Sequence, residues 1–544
     1  MKRIKIADSL QNSIYRFRYL ICGVLVVSFN FFGCGLTHEQ DFIDSTQVQN
    51  TYVAKKTLSQ TTLGVQVIAE NLEVPWDIEL EPNGRHLWFT QQKGIIGRID
   101  PDSGKIEEVY EVPDVLYRKS YGLLSLALHP NFSTQPDLII HYTYRRSNGI
   151  RSRLVSFRYL GGKLINRKVI LEDIPGNTYH NGSRLLITHD NKVLFSMGDG
   201  GRDELAQDPD KLNGKILRLN FDGSIPEDNP IKGSPVWSMG HRNPQGLTQS
   251  PSGIIYGSEH GPAIDDEINI ITPGANYGWP DVTGYCDEPY EIGYCDEHSI
   301  SPSLYSWSPS IAPCGITFYN SDVIPEWKNS LIVGTLKNMS VRVLSLDETG
   351  KAIVNEEVMF RQYLGRIRDV EMGSDGDVYL STSNRDWHPN SNPEYYQSLS
   401  IPADNDDRII RLVPISKGEA NYLNEVEERE ESKIDLSVLS ERERGITLFK
   451  TYCASCHKED ATGVKDLYPP LIDTDWVSDK GKLIETVING LSGEIEVNGV
   501  TYSGEMPGFK FLSNEELRDV LNYVRSSFGN NAGPLTLDDI NDHR

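Results

Sequence analysis

The sequence has 544 residues, with 53 Lys and Arg against 77 Asp and Glu and 38% hydrophobic residues, enough for two or three domains with full cores and too much for a single small one. A formal charge of −24, with no cluster of Lys and Arg beyond the first twenty residues, excludes nucleic acid as the partner, because phosphate binding needs clustered cations. The 46 glycines, 29 prolines and 26 tyrosines suit a turn-rich β protein.

At the N-terminus, Lys2, Arg3, Lys5, Arg16 and Arg18 precede an apolar run from Tyr19 to Phe32. That run is shorter than the roughly 20 residues that span a bilayer as a helix, so residues 1–33 read as a secretory signal. It ends in Phe32-Gly33-Cys34-Gly35, which resembles a bacterial lipoprotein cleavage site with Cys34 as the lipidated residue, although Phe31 stands where Leu is usual. An ordinary signal peptide with an incidental Cys34 is the alternative. The expectation is an exported, periplasmic or cell-envelope lipoprotein of a Gram-negative bacterium, touching membrane only through its lipid, in an oxidising compartment.

Residues 34–60 lack hydrophobic periodicity and read as a polar tether. From 61 to 415 one pattern recurs: a polar turn, then a short apolar strand. The strand starts are Leu87, Leu138, Val193, Ile254, Leu331 and Val378. These six copies lie 47 to 77 residues apart, wide enough for a four-stranded sheet each, and sheets repeated radially predict an all-β, six-bladed β-propeller. The longest interval holds Cys286 and Cys295, which close a short loop with no His or further Cys at ligand spacing. They predict a disulfide stapling a surface loop. Cys314 reads as a buried free thiol.

Residues 416–439 read as a charged linker, with six Glu and almost no aliphatic content over 417–433, long enough to let a following domain dock and swing away. Ser440 and Glu443 form a capping-box start to a helix that leads into Cys453-Ala454-Ser455-Cys456-His457. Cys-x-x-Cys-His is the c-type haem attachment sequence, in which both thiols bond the haem and the histidine reaches the iron. A redox dithiol or half of a zinc site shares this spacing, but export favours haem and no second cysteine pair follows. Beyond His457 the candidates for the opposite iron ligand are Met506 and His543, and His543 is the penultimate residue of an end that reads as disordered. Met506 is therefore the sixth ligand by elimination. A second capping box at Ser513 and Glu516 opens a helix carrying Leu517, Val520, Leu521 and Val524 on one face. Residues 440–530 thus resemble a small all-α class I cytochrome c, an electron carrier, followed by a tail at 531–544.

Within the propeller, the residues with chemical reach stand in His180-Asn181-Gly182-Ser183-Arg184, Gly198-Asp199-Gly200-Gly201, Gly240-His241-Arg242-Asn243-Pro244-Gln245-Gly246, Glu259-His260-Gly261-Pro262, Leu336-Lys337-Asn338 and Gly365-Arg366-Ile367-Arg368-Asp369. With Val74-Pro75-Trp76 and Ala275-Asn276-Tyr277-Gly278-Trp279-Pro280, they resemble, in the correct order over residues 64–414, the soluble aldose sugar dehydrogenases, propellers that use pyrroloquinoline quinone (PQQ) and calcium. The resemblance implies oxidation of a sugar C1 hydroxyl to a lactone by hydride transfer to PQQ, with electrons passing to the haem and on to a periplasmic or membrane acceptor. It implies that His180 is the general base, that Asp199 orients it, and that Arg242 and Asn243 face the quinone. Lys337, Arg366 and Arg368 would hold the PQQ carboxylates, and the carbonyls of Gly261 and Pro262 would hold Ca²⁺. Asp265, Asp266 and Glu267 are either ligands of a second calcium or a solvated acidic run. Two positions depart from the glucose-oxidising members: Ser120 and His260 stand where those have Gln, so their glucose preference does not transfer. The competing expectation is an exported calcium-dependent lactonase or carbohydrate-binding propeller with a separate haem carrier, against which the three cations argue, since neither needs to hold a tricarboxylate.

Overall fold

The computed structural model describes residues 51–544 apart from 148, 430–434 and 492, so the signal segment and Cys34 lie outside the described residues. Five four-stranded sheets and one five-stranded sheet follow one another along the chain, all paired antiparallel. Each of the six recurring apolar runs is the second strand of its sheet: Leu87–Gln91, Asp137–Arg146, Lys192–Met197, Ile255–Glu259, Ser330–Thr335 and Val378–Thr382. The turn before each run is the reversal from the first strand. The first strands, among them Pro75–Leu80, Leu123–Leu128, Pro244–Gln249 and Ile367–Met372, neighbour one another around a closed ring, which makes a six-bladed propeller.

Position in the blade explains the burial of each strand. Leu123–Leu128 and Ser330–Thr335 are buried at every residue because both faces meet neighbouring sheets. Outermost strands such as Ile106–Glu111 and Ile353–Met359 keep polar residues in solvent. The ring closes where the early strand Thr62–Ala69 pairs with the late strand Ile409–Pro414, joining both ends of the propeller into one sheet. The long fourth interval holds the helix Pro289–His298, and Cys286 is bonded to Cys295 across its start.

Three boundaries differ from the sequence reading. The polar tether does not extend to residue 60: Tyr52–Thr57 is the outermost strand of the closing sheet and pairs with Thr62–Ala69. The linker is charged, yet its first part is fastened to the propeller. Lys417–Ala420 is a capped helical turn, Glu425 accepts from Thr57, Glu428 pairs with Lys56 at 2.9 Å, and Val426 is buried in the propeller core. The tail is a folded part of the last domain: Leu537–Asn541 is helical, and Leu535 and Ile540 are buried among Leu483, Leu517 and Leu521.

That last domain is helical. Ser440 and Ser513 cap Glu441–Leu448 and Asn514–Ser526, each with its Glu partner in place. These two helices cross at Gly445, where a Cβ would stand 2.4 Å from the Asp519 carbonyl, so the crossing requires glycine. The first helix runs on through Phe449–Cys453 to Ala454–His457, which carries both thiols and the histidine to the centre of the domain.

Candidate functional site

The functional groups of the propeller sit in the loops at one end of the inner strands. His180 adopts a left-handed φ of 52°, and its loop lies against Gly198, where a Cβ would meet the His180 carbonyl at 2.3 Å. That close approach brings the imidazole to Asp199, with Nδ1 2.9 Å from Oδ1. The carboxylate also accepts from the Gly201 N–H at 2.7 Å and from the Trp279 indole at 2.9 Å, so it is fully bonded and fixed. Burial acts to raise the Asp199 carboxyl, but His180, Arg242 and the Gly201 amide outweigh it and hold it below the usual range. With Asp199 on Nδ1, Nε2 is the ring nitrogen left to the cavity, where Glu505 Oε2 lies 3.5 Å from it.

Arg242 donates to the carbonyls of Gly261 at 2.9 Å and His260 at 3.3 Å, and lies over the Trp279 ring. Glu259 orders its loop by accepting from the N–H groups of Arg242 and Asn243 and from His241 Nδ1. Asn243 uses its carbonyl oxygen to accept from Gly182 N–H at 3.1 Å and from Gln245, tying the His180 loop to the next blade.

On the far wall, Arg366 and Arg368 share the buried Asp386, at 2.7 and 3.1 Å. Burial works to raise that carboxyl, yet the two guanidiniums and their neighbours bring it down to about 2. Arg368 also stacks 3.8 Å from the Trp76 ring centroid. Lys337 donates to Ser310 Oγ at 3.0 Å and has no carboxylate within 4 Å among the described residues. Burial holds its ammonium below the ordinary range. Among the described residues, the buried Arg242 Nε, Arg368 Nε and His260 Nε2 have no hydrogen-bond partner. Three cations around unpartnered donors suit a ligand bearing several carboxylates.

Cys453, Cys456, His457 and Met506, expected from the sequence to hold haem, line the same cavity. Cys453 and Cys456 are free thiols, and burial pushes Cys453 up to about 12. His457 Nδ1 lies 2.9 Å from the Pro469 carbonyl, which leaves Nε2 free, and burial lowers the ring's pKa toward the neutral form that binds iron. Met506 is held on its loop by reciprocal backbone hydrogen bonds with Leu491. One cavity of about 440 Å³ is lined both by His180, Arg242, Lys337, Arg366 and Arg368 and by Cys453, Cys456, His457 and Met506. Val487, Phe509, Leu521 and Val524 line the same cavity as His457 and Met506, an apolar lining suited to a porphyrin.

Other residues singled out in the sequence fall differently. Asp265, Asp266 and Glu267 form neither a solvated run nor a ligand cluster. Asp266 accepts from the N–H groups of Gly261, Ile311 and Ala312, Glu267 from Gly284 and Asn269, and Asp265 from Ser306, Ser308 and Thr283. Asp266 and Glu267 are 1% and 8% exposed, and no group of three His, Cys, Asp or Glu suited to a metal occurs among the described residues. Cys314 is buried, 3.5 Å from Arg368 Nη1. Sequence reasoning missed Asp386, Trp279 as a partner of Asp199, and Glu505. Glu505 comes from the loop of Met506 and lies 3.5 Å from His180 Nε2 and 3.4 Å from Arg242 Nη2.

Comparison with known proteins finds a family for each of the two domains. The Glucose / Sorbosone dehydrogenase family matches residues 72–388, and the Cytochrome c family matches residues 442–528. Aldose sugar dehydrogenase YliI of Escherichia coli is 32% identical over 338 residues, covering 59% of this chain and 90% of its own. Quinoprotein glucose dehydrogenase B of Acinetobacter calcoaceticus is 29% identical over 401 residues, with 58% and 84% covered. The PQQ-bound aldose sugar dehydrogenase of Streptomyces coelicolor superposes with a TM-score of 0.55 at 28% identity, covering 65% of this chain and 98% of that one.

Proposed function

Because this chain belongs to the Glucose / Sorbosone dehydrogenase family and ends in a cytochrome c domain, we propose that it is a PQQ-dependent dehydrogenase that oxidises the C1 hydroxyl of an aldose or related sugar to a lactone and passes the electrons through its own haem c to an external acceptor. The observation that carries this reading is the single cavity shared by the His180–Asp199 pair, the three cations and the haem-attachment residues.

PQQ, when bound, supplies a two-electron hydride acceptor, and haem c supplies a one-electron carrier. Lys337, Arg366 and Arg368 are the cations that would hold the quinone's carboxylates, with Arg242 and Asn243 at its opposite rim. Cys453 and Cys456 would bond the haem, and His457 and Met506 would bind its iron. The carbonyls of Gly261 and Pro262 are the groups that would hold calcium, and that of Gly261 already accepts from Arg242.

His180 Nε2 takes the proton of the sugar hydroxyl, and Asp199 on Nδ1 fixes the tautomer and stabilises the imidazolium that results. Trp279 and Gly201 keep Asp199 in place and ionised. Oxidising the hydroxyl to a carbonyl removes two electrons and two protons, and one haem accepts a single electron, so turnover needs two successive transfers to the acceptor. Covalent haem and the Cys286–Cys295 disulfide both support an exported protein, for which Cys34 would be the lipid anchor on a Gram-negative envelope. Among the described residues no helix is long and apolar enough to cross a membrane.

Full-length protein made in a host lacking PQQ tests the proposal: it is inactive on a panel of aldoses and regains activity, with haem reduction, on addition of PQQ and Ca²⁺. Sugar oxidation without PQQ overturns it.

A further inference from the structure

Glu505 belongs to the haem domain yet sits inside the propeller's site. Its Oε2 is 3.5 Å from His180 Nε2 and its Oε1 is 3.4 Å from Arg242 Nη2, with the imidazole 10% and the carboxylate side chain 22% exposed. The loop that carries it is tied to its own domain: Gly504 N–H donates to Leu467, and Met506 exchanges backbone hydrogen bonds with Leu491. Tyr179 and Tyr468 both feel the Glu505 charge, and elsewhere the two domains also meet where Asn392 reaches the Ala454 carbonyl at 3.4 Å and where the Trp387 ring lies 6.3 Å from that of Tyr468.

Asp199 already holds Nδ1, so a reacting hydroxyl has only Nε2 to approach, at about 2.6–3.2 Å. The Glu505 carboxylate lies over that nitrogen and also draws on the Arg242 guanidinium beside it.

We propose that Glu505 is an interlock between the domains: the haem-domain carboxylate and the substrate's reacting hydroxyl compete for the same position on His180 Nε2, so substrate entry requires Glu505 to leave and its return re-seats the Met506 loop on the emptied site. This rests on the reading of His180 as the base. Because Glu505 precedes Met506, the group that guards the substrate position and the group that faces the haem iron move as one loop. Substrate binding and close seating of the haem loop therefore alternate.

Two measurements on full-length, haem-loaded protein test it. Without PQQ, diethyl pyrocarbonate acylates exposed imidazole nitrogen. His180 labelling, read by peptide mass spectrometry, is expected to be several-fold faster in Glu505→Ala than in the parent, while the exposed His189 labels equally in both. With PQQ and the best sugar of the panel, Glu505→Ala is expected to lower the sugar concentration for half-maximal quinone reduction about threefold or more, since the competent state is no longer partly blocked. The same variant slows the following haem reduction. Glu505→Gln, of equal size without the charge, falls between. Equal His180 labelling in both proteins overturns the contact, and an unchanged half-saturation overturns the competition. If PQQ-loaded protein oxidises no sugar, the functional reading falls while the labelling still decides whether Glu505 covers His180.

Discussion

At the propeller mouth His180 is held by Asp199 and the Arg366–Arg368 pair by Asp386, buried carboxylates whose protein partners are already in place. In the haem domain the corresponding residues face a space lined by apolar side chains, and the His457 ring is held there by a hydrogen bond to a backbone carbonyl. The propeller builds its geometry from charge pairs anchored in six interlocking sheets, which stand without a ligand. The haem domain packs its helices against one buried cluster and lines with them the cavity that His457 and Met506 reach, so its fold and the haem it is proposed to hold are coupled. This difference makes distinct failures predictable.

The largest effect should follow removal of both attachment thiols. Cys453→Ala with Cys456→Ala abolishes covalent haem and collapses the helical domain, read as loss of the haem absorbance and of its thermal transition. The propeller's own transition and its PQQ-dependent dye reduction persist. A propeller that melts with the haem domain would erase the contrast. A smaller break is Ile540→Ala, which empties a buried position of the C-terminal helix and should cost about 2–5 kcal/mol in the haem domain alone, measured by denaturant unfolding followed at the haem. Next, His180→Gln should lower kcat by about 10² while PQQ binding is retained, the scale of a lost general base. An effect confined to KM would make His180 a binding residue.

The smallest effect concerns pH. Asp386 is held at about 2, below its ordinary 3.8, and it is 3% exposed. A depressed folded-state pKa stabilises above the unfolded value, and that stability is lost as pH falls through the folded one. The propeller should therefore lose about 2 kcal/mol from this group between pH ~4 and pH ~2. The stability difference between parent and Asp386→Asn should be flat above pH ~4 and shrink below it; a difference that persists undiminished at pH ~2 would contradict the ion-pair account.

The same contrast governs what the sequence disclosed. The repeated turn and apolar run was legible because the second strand of each blade is buried on both faces, so its apolar run is unbroken. Tyr52–Thr57 was not, because Tyr-Val-Ala-Lys-Lys-Thr is an outer strand whose partner faces only one side. The Cys-x-x-Cys-His stretch announced itself because covalent haem chemistry demands contiguous residues. Leu535 and Ile540 bury too few positions to show a helical period, so the tail reads as disordered in the sequence alone. Asp386 and Glu505 were invisible for a further reason. Their meaning lies in pairing with Arg366 and Arg368, 20 and 18 residues away, and with Arg242, 263 residues away, which no local pattern encodes.

In the proposed function the propeller feeds electrons to the haem of its own chain. Rapid mixing of PQQ-loaded, oxidised protein with sugar, without any acceptor, tests this directly when the rate of haem reduction is followed over about a tenfold range of protein concentration. Transfer within the chain predicts a rate constant independent of protein concentration, and one nearly lost in Met506→Ala while quinone reduction by sugar continues. A haem reduction rate that rises in proportion to protein concentration, or a Met506→Ala protein in which quinone reduction also fails, would contradict the account.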